Sequence, residues 1–435
     1  MASGLSNFAA RLREFMTSST PVVANVRGLC SANPKSEIRN PKSPEPPHVG
    51  CYEEDFDALA RELFALQFAH NAPYQKFCEA RRATPQTVTH WTQIPAVPTA
   101  AFKEFELTCL PTVGRPTVFH SSGTSGQRPS RHFHNAESLV LYEASLWPWF
   151  EQHVVPDLRF TIYDLRLAIL APPSVQAPHS SLVHMFETVR QACSANNSAF
   201  VGRVEADGAW TLDFGAAREA LHGACECETP LVLLGTAFSV MHLLDGLAEQ
   251  NLSFQLPPGS RVMETGGYKG RSRSLPKAQL HALITQRLGV PPSHIICEYG
   301  MSELSSQAYD SAIWTKPTPD PSQGGEQFTR RTTTVPLLGG VRGGCVGANP
   351  RQPSPATRHF RFPPWARVQI ISPETGLEVG AGETGLIRVF DLANVFSVLA
   401  IQTEDLGIRR GDGFELLGRA ALTEPRGCSL MAVNS

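Results

Sequence analysis

The chain has 435 residues, of which 42% are hydrophobic and 18% charged, and this composition is typical of a globular protein. Its 38 Lys and Arg residues and 40 Asp and Glu residues nearly cancel, which excludes the basic field of a nucleic-acid-binding protein. No stretch approaches the ~20 apolar residues of a membrane span, the start lacks a secretory signal, and the 10 cysteines are scattered. We therefore expect a cytoplasmic protein with small-molecule or protein partners.

The predicted elements indicate an α/β fold. A helical pattern is carried by Phe56, Leu59, Ala60, Leu63, Phe64 and Phe68. Short apolar runs predict buried strands at Leu167–Ala171, Leu231–Leu234 and Ile295–Cys297. Helical stretches at 138–153 and 275–288 alternate with them, which favours a sheet with helices on its faces. Residues 360–419 alternate strand-like runs with Gly turns and predict a small antiparallel sheet.

Two segments differ from the rest in composition. Residues 31–47 repeat the word NPKS and are rich in proline, and residues 316–357 are rich in Gly, Pro, Thr and Arg without periodicity. Neither can bury enough apolar surface to offset the entropy of ordering it. We expect disordered surface insertions over residues 21–48 and 316–357 and assign them no function.

The segment from Thr117 to Ser130, TVFHSSGTSGQRPS, has a cluster of small residues after a strand-like run. The cluster consists of Ser121, Ser122, Gly123, Thr124, Ser125 and Gly126. Small side chains leave backbone N–H groups unshielded and hydroxyls add donors, so this loop suits the phosphates of a nucleotide. It is not a Walker loop, and a flexible Ser/Gly turn is the alternative interpretation.

A second motif, IICEYGMSE, ends a predicted strand with Tyr299, Gly300, Ser302 and Glu303. Open α/β sheets bind ligands at the carboxyl ends of their strands. An aromatic ring followed by Gly can stack on a purine, and Glu303 offers a hard oxygen ligand for Mg²⁺. An ordinary strand end with surface polar residues is the alternative.

A third motif, METGGYKGRSR, has glycines and bases after a predicted strand. Its glycines, Gly266 and Gly267, permit close approach of the backbone to a ligand. Its bases, Lys269, Arg271 and Arg273, bring positive charge. A Gly-rich connection with solvated bases is the alternative.

Two apparent motifs are rejected. Gly380–Gly385 fits G-x-G-x-x-G, but a strand-like run follows it where a dinucleotide site needs a helix, so we predict a hairpin turn. His222, Cys225 and Cys227 lack the paired spacing of a zinc site and are interpreted as helix-surface residues.

The three motifs occur in the order found in the superfamily of acyl-CoA synthetases, adenylation domains and firefly luciferase. SSGTSG resembles its phosphate loop, YGMSE its adenine and magnesium motif, and TEDLGIRRGDGFELLGR its segment near the hinge. The resemblance implies that Asp405 binds the ribose hydroxyls and that Arg419 lies at the hinge and reaches the ribose or phosphate.

Within this superfamily the chain most resembles the acyl-protein synthetases of bacterial bioluminescence operons, the LuxE-like ligases. The words that carry the resemblance are IPAVPTAAFKEF, SSLVHMFE, METGGYKGRSR, EYGMSELSSQAYD, FRFPPWARV and RGCSL. It implies an α/β fold like the large N-terminal domain of adenylate-forming enzymes over residues 1–388. A short β-rich segment over 389–435 would follow, without a full mobile C-terminal domain.

The resemblance also implies the reaction. ATP and Mg²⁺ would activate a carboxylic acid, in this family a fatty acid, as its acyl-AMP. The acyl group would then pass to a protein thiol and on to an acceptor such as a reductase or an acyl carrier.

Two features bear on the catalytic groups. The wider superfamily uses a C-terminal lysine, whereas the last lysine here is Lys316, so we expect Lys269, Arg271 or Arg273 to neutralise the α-phosphate. In the acyl-protein synthetases a cysteine near the C-terminus accepts the acyl group, and Cys428 in RGCSL matches it. Arg426 would favour its thiolate. A cysteine without function on a frayed tail is the alternative.

Two rival functions remain open from the sequence. One is an acyl- or aryl-CoA ligase that transfers the acyl group directly to coenzyme A. The other is a non-catalytic nucleotide-binding regulator, which the missing lysine and the two insertions make conceivable.

Overall fold

The structure is a computed structural model that describes residues 3–19, 49–121, 128–155, 165–193, 198–266, 275–310 and 358–420. Both expected insertions, at 21–48 and 316–357, lie outside these residues. The residues on the two sides of the second expected insertion lie next to each other. Arg358 Nη1 lies 3.9 Å from Asp310 Oδ2, and Tyr309 and Arg361 form an antiparallel bridge.

Several helices begin or end at residues that cap them. Asn135 accepts a hydrogen bond of 2.8 Å from the Ser138 amide, and Gly289 follows the helix Lys277–Leu288 with a φ of 70°. The α-helices are α1 Ser3–Ser19, α2 Val49–His70, α3 Ala72–Glu79, α4 Ala101–Glu104, α5 Ala136–Val154, α6 Ser181–Ala192, α7 Phe214–Glu226, α8 Ala237–Glu249 and α9 Lys277–Leu288. In the described part of the chain no helix is both long and apolar enough to cross a membrane.

In the part of the chain that the structure describes, the strands form two larger sheets and two hairpins. The strands are β1 Val97–Pro98, β2 Thr117–His120, β3 Arg131–His134, β4 Arg166–Ile169, β5 Ser198–Phe200, β6 Gly202–Val204, β7 Trp210–Leu212, β8 Leu231–Thr236, β9 Arg261–Thr265, β10 Ile295–Tyr299, β11 Ala308–Tyr309, β12 Ala366–Ile371, β13 Thr384–Asp391, β14 Ala400–Arg410 and β15 Gly413–Arg419. The predicted helices and strands quoted above are confirmed within a few residues at their ends.

The six-stranded sheet has the order β11-β10-β9-β8-β4-β5 and is parallel except for β11. Its side chains alternate between two cores, as the pleat requires. Leu233 and Val262 pack with α7, α8 and α9 on one face, and Leu234 and Met263 pack with α5 and α6 on the other. This is the layered α/β arrangement that the sequence predicts.

The five-stranded sheet contains β12, β13, β14 and β15 as antiparallel neighbours, with β1 added in parallel to β14. Its core merges with that of α1, α2 and α3. The expected division between residues 388 and 389 falls inside β13, which pairs with β12 and β14 on both sides of it. The structure therefore shows no break at that point.

The two rejected motifs behave as predicted in the structure. The G-x-G-x-x-G stretch is a turn that leads into β13, and in it the Gly380 amide donates to Glu383 and Gly382 has a φ of 86°. His222 and Cys225 lie on α7, and Cys227 caps its end. The described residues contain no cluster of three or more His, Cys, Asp or Glu side chains that could hold a metal ion.

Candidate active site

The second and third motifs meet at one edge of the six-stranded sheet. Strands β9 and β10 are parallel neighbours in register, with Thr265 opposite Glu298, so their carboxyl ends lie side by side. The Thr265 hydroxyl donates to the Glu298 carboxyl, and both side chains are buried. Gly266 follows with a φ of 70°, a conformation that favours glycine. Two Gly-containing motifs therefore lie at the carboxyl ends of neighbouring parallel strands, which is where such sheets bind ligands.

The first motif approaches the same edge on the β2–β3 hairpin. Its loop is closed at the base by Ser121 and Ser130, because the Ser130 amide donates to Ser121 Oγ at 3.0 Å. Ser130 Oγ in turn lies 3.4 Å from Ser302 Oγ of the second motif. The remaining loop residues, Ser122, Gly123, Thr124, Ser125 and Gly126, lie outside the described residues. The base of the proposed phosphate loop thus contacts the residue next to Glu303.

His132 on β3 adds a second contact to this junction. Its Nδ1 lies 2.9 Å from the Ser302 carbonyl oxygen, and the side chain is 3% exposed. Burial lowers the pKa of His132 to about 4, so the ring is neutral at pH 7. A neutral ring that donates from Nδ1 to a carbonyl is a fixed hydrogen-bond donor.

Glu303 is held in place by residues from the five-stranded sheet. Its carboxylate accepts from Ser302 Oγ at 3.0 Å, and its own carbonyl accepts from Asn394 Nδ2 at 2.9 Å. Asp391 bonds to the amides of Ser305 and Ser306 at 2.9 and 2.8 Å. The segment after β10 is therefore held by two buried polar side chains, Asp391 at the end of β13 and Asn394 just after it.

Tyr299, the last residue of β10, contacts the segment TEDLGIRRGDGFELLGR, which resembles the segment near the hinge. Its hydroxyl donates to Asp405 Oδ2 at 2.9 Å, and its ring packs edge-on against Phe360 and Phe414. Only 6% of Tyr299 is exposed, which leaves little of the ring open for a purine in this structure. Burial raises the pKa of both Tyr299 and Asp405. Arg419, opposite Asp405 in the β14–β15 pair, is 80% exposed at its side chain.

The structure thus brings together part of the predicted site. Ser121, Gly266, Tyr299, Gly300, Ser302, Glu303, Asp405 and Arg419 are described, and most lie at or beside the carboxyl edge. Gly267, Lys269, Arg271, Arg273 and Cys428 lie outside the described residues, so their roles stay predictions.

Sequence reasoning missed four polar residues at this junction: Ser130, His132, Asp391 and Asn394. Each is 3% exposed or less. A signal was available in the words SRHFHN and DLAN, where polar residues lie within or beside strand-like runs. Polar groups that are buried need partners, so such positions predict specific contacts.

The comparison with protein families decides the assignment. The family model described as acyl-protein synthetase, LuxE, matches residues 53–311, which is more than half of the chain. The chain belongs to the LuxE family of acyl-protein synthetases. The matched range contains the phosphate-loop hairpin and both motifs at the sheet edge.

Similar proteins agree with membership of the LuxE family. The chain is 21% identical to the long-chain-fatty-acid–luciferin-component ligase of Aliivibrio fischeri, over 87% of this chain and 88% of that protein. Its structure resembles that of 2-hydroxyisobutyryl-CoA ligase in complex with 2-HIB-AMP and CoA in the thioesterification state. That match has a TM-score of 0.58 and 12% identity, and it covers 86% of this chain and 69% of the ligase. An open conformation of the same ligase gives a TM-score of 0.53, with 12% identity over 83% and 69%.

These findings confirm the fold and the class of reaction. The fold is that of the adenylate-forming enzymes, as the motifs predict. A LuxE-family protein is an ATP-dependent acid ligase that activates an acyl group and transfers it.

Proposed function

We propose that this LuxE-family chain activates a long-chain fatty acid as its acyl-AMP and transfers the acyl group through Cys428 to an acceptor protein. The observation that carries the proposal is the junction at Ser302. There the base of the phosphate-loop hairpin, through Ser130, meets the strand end that bears Glu303. The name of the Aliivibrio fischeri ligase supports a long-chain fatty acid as the substrate.

In the first half-reaction a carboxylate oxygen attacks the α-phosphorus of ATP, and the bond to pyrophosphate breaks. The loop residues Ser121–Gly126 would hold the β- and γ-phosphates through backbone amides and hydroxyls. Asp405 would bind the ribose hydroxyls, with Arg419 beside it. Catalysis would consist of positioning and charge stabilisation, as in other reactions at phosphorus.

The residues present fit a magnesium ion carried by the nucleotide. Mg²⁺ binds proteins through one or two carboxylates and takes its other ligands from phosphates and water. Glu303 supplies one carboxylate in the segment after β10, and the buried Ser302 hydroxyl donates to it. The bound ion would neutralise phosphate charge.

The second half-reaction needs a thiol, and the first needs a cation near the α-phosphate. The Cys428 thiolate would attack the acyl carbonyl, a thioester would form, and AMP would leave. Lys269, Arg271 or Arg273, which follow β9 in sequence, would supply the cation during adenylation. The acyl group would then pass to a protein such as a reductase or an acyl carrier.

The test is carboxylate-dependent exchange of pyrophosphate into ATP over short, long and aromatic acids, with and without coenzyme A. We expect exchange with long-chain acids and a covalent acyl-protein that hydroxylamine cleaves. Stoichiometric consumption of coenzyme A without acyl-protein would assign the chain to the CoA ligases instead. Absence of exchange with every acid would favour a non-catalytic nucleotide-binding regulator.

A further inference from the structure

Two histidines on β3, His132 and His134, are almost equally buried but have different hydrogen-bond partners. They are two residues apart on one face of the strand, and they are 3% and 1% exposed. His134 Nδ1 lies 3.1 Å from Ser138 Oγ at the start of α5. His132 Nδ1 lies 2.9 Å from the Ser302 carbonyl oxygen. Of the pair, His132 is thus the one whose hydrogen bond reaches the segment that bears Glu303.

The His132 bond has a defined direction. A carbonyl oxygen only accepts hydrogen bonds, so Nδ1 of His132 carries the proton and donates it. The accepting carbonyl belongs to the peptide group that joins Ser302 to Glu303. On the other side of Glu303, its own carbonyl accepts from Asn394 Nδ2 at 2.9 Å. The two carbonyls that flank the Glu303 Cα are therefore both fixed by side-chain donors.

The two donors come from different parts of the fold. His132 belongs to the hairpin whose loop is the proposed phosphate site, and Asn394 follows β13 of the five-stranded sheet. Ser130 on the same hairpin also reaches Ser302, with 3.4 Å between the two hydroxyl oxygens. The position of the hairpin thus determines the position of the peptide from which the Glu303 side chain extends.

We propose that His132 is a positioning residue for adenylation: its Nδ1–H holds the Ser302–Glu303 peptide in fixed relation to the phosphate-loop hairpin. This inference rests on the proposed function, in which Glu303 holds the magnesium ion of the nucleotide. Groups that orient a metal ligand without touching the metal typically change metal affinity by about 10–100-fold when they are replaced. His132 would accordingly set the magnesium dependence of the enzyme and would not contact the reacting atoms.

The test follows two quantities against Mg²⁺ concentration in the full chain: pyrophosphate exchange, and the binding of ATP measured by equilibrium dialysis without any acid, which reports on the metal site without turnover and should show the same shifts. His132→Phe keeps a ring but loses the donor, and it should raise the Mg²⁺ concentration for half-maximal exchange by about tenfold or more. His132→Asn places an amide N–H near the position of Nδ1 and should recover most of the wild-type response. His134→Phe removes an equally buried ring that bonds to Ser138 instead, and it should leave the Mg²⁺ dependence unchanged.

Several outcomes overturn the proposal. An unchanged Mg²⁺ dependence in His132→Phe, or the same shift in His134→Phe, would show that the ring matters for packing only. If Glu303→Gln keeps the wild-type Mg²⁺ response, the metal assignment fails and the inference fails with it. If the Mg²⁺ dependence shifts in Glu303→Gln but not in His132→Phe, the metal assignment stands and the positioning role of His132 alone fails.

A second pair of variants serves if His132→Phe does not fold. The amide nitrogen of Asn lies near the place of Nδ1, whereas that of Gln lies near the place of Nε2. His132→Asn should therefore keep the Mg²⁺ response, and His132→Gln should shift it. Equal responses in the two variants overturn the proposal.

Discussion

The Tyr299 hydroxyl donates a hydrogen bond of 2.9 Å to Asp405 Oδ2, across 106 residues of sequence. This contact joins the strand end at β10 to β14 of the other sheet. The second oxygen of Asp405, Oδ1, lies 3.7 Å from Nε of the exposed Arg419 side chain. Oδ2 of Asp405 therefore links the two sheets through Tyr299. Oδ1 faces Arg419, where we expect the ribose to bind.

Replacement of Asp405 tests the ribose assignment. Asp405→Ala should raise the KM for ATP by about tenfold or more, because hydrogen bonds to a charged group contribute about 1.5–3 kcal/mol. The matched control is Glu404→Ala, which removes an exposed carboxylate one residue away. ATP-dependent exchange kinetics measure both variants. An unaltered KM in Asp405→Ala, or an equal rise in the control, would place the ribose elsewhere.

The phosphate loop is tested by loss of two hydroxyls. The double variant Ser122→Ala with Thr124→Val keeps the loop small but removes two donors. Exchange should fall by about 10²-fold or more, since each donor lost from such a site costs a few kcal/mol of transition-state stabilisation. Thr117→Val on β2 makes the same chemical change outside the loop and should keep its activity. A normal exchange rate in the double variant would refute the assignment.

The buried carboxyl of Glu298 should make the stability of the protein depend on pH. Burial raises the pKa of this carboxyl from its ordinary 4.5 to about 7, against the opposing bond from Thr265. The folded state therefore keeps the proton while the unfolded state loses it, so this residue lowers stability as pH rises from about 4.5 to about 7. Glu298→Gln mimics the protonated form. Its advantage over the wild type should grow across that window by about 1.4 kcal/mol per pKa unit, and urea unfolding midpoints measure it. If the difference in stability between Glu298→Gln and the wild type is the same at every pH, the prediction is wrong.

Local patterns explain why much of the fold could be predicted. The apolar spacing from Phe56 to Phe68 and the short runs within β4, β8 and β10 are set by neighbours in sequence. The hairpin turn at Gly380–Gly385 is local as well, because its bonds join residues three apart. Such elements depend on burial and turn chemistry that the sequence displays directly.

The contacts that assemble the site are not local. Ser130 meets Ser302 across 172 residues, and the Gln67 side chain donates to the Asn394 carbonyl across 327. The hydrophobic periodicity of a sequence gives no information about contacts between residues so far apart. The sequence predicted Glu303 as a functional residue, but it gave no reason to connect it with His132 or Asn394. Those roles follow from the fold, which places the hairpin and β13 on either side of the segment after β10.

The last prediction separates the two half-reactions at Cys428. Cys428→Ser replaces a sulfur that ionises near pH ~8.5 by a hydroxyl that stays protonated at neutral pH, so nucleophilicity falls while size hardly changes. Exchange of pyrophosphate into ATP should persist, because the carboxylate attack on ATP does not use the thiol. Covalent labelling of the protein by radioactive fatty acid should disappear.

Two further variants make the result specific. Truncation after Arg426 removes the thiol with its tail and should reproduce the loss of labelling. Cys227→Ser removes an exposed thiol that lies beside Arg166 at the end of α7, and it should keep full labelling. Undiminished hydroxylamine-sensitive label in Cys428→Ser would move the acceptor to another thiol. Equal rates of coenzyme A consumption in Cys428→Ser and the wild type would show that the acyl group goes directly to coenzyme A, because a step through Cys428 cannot survive the loss of its sulfur.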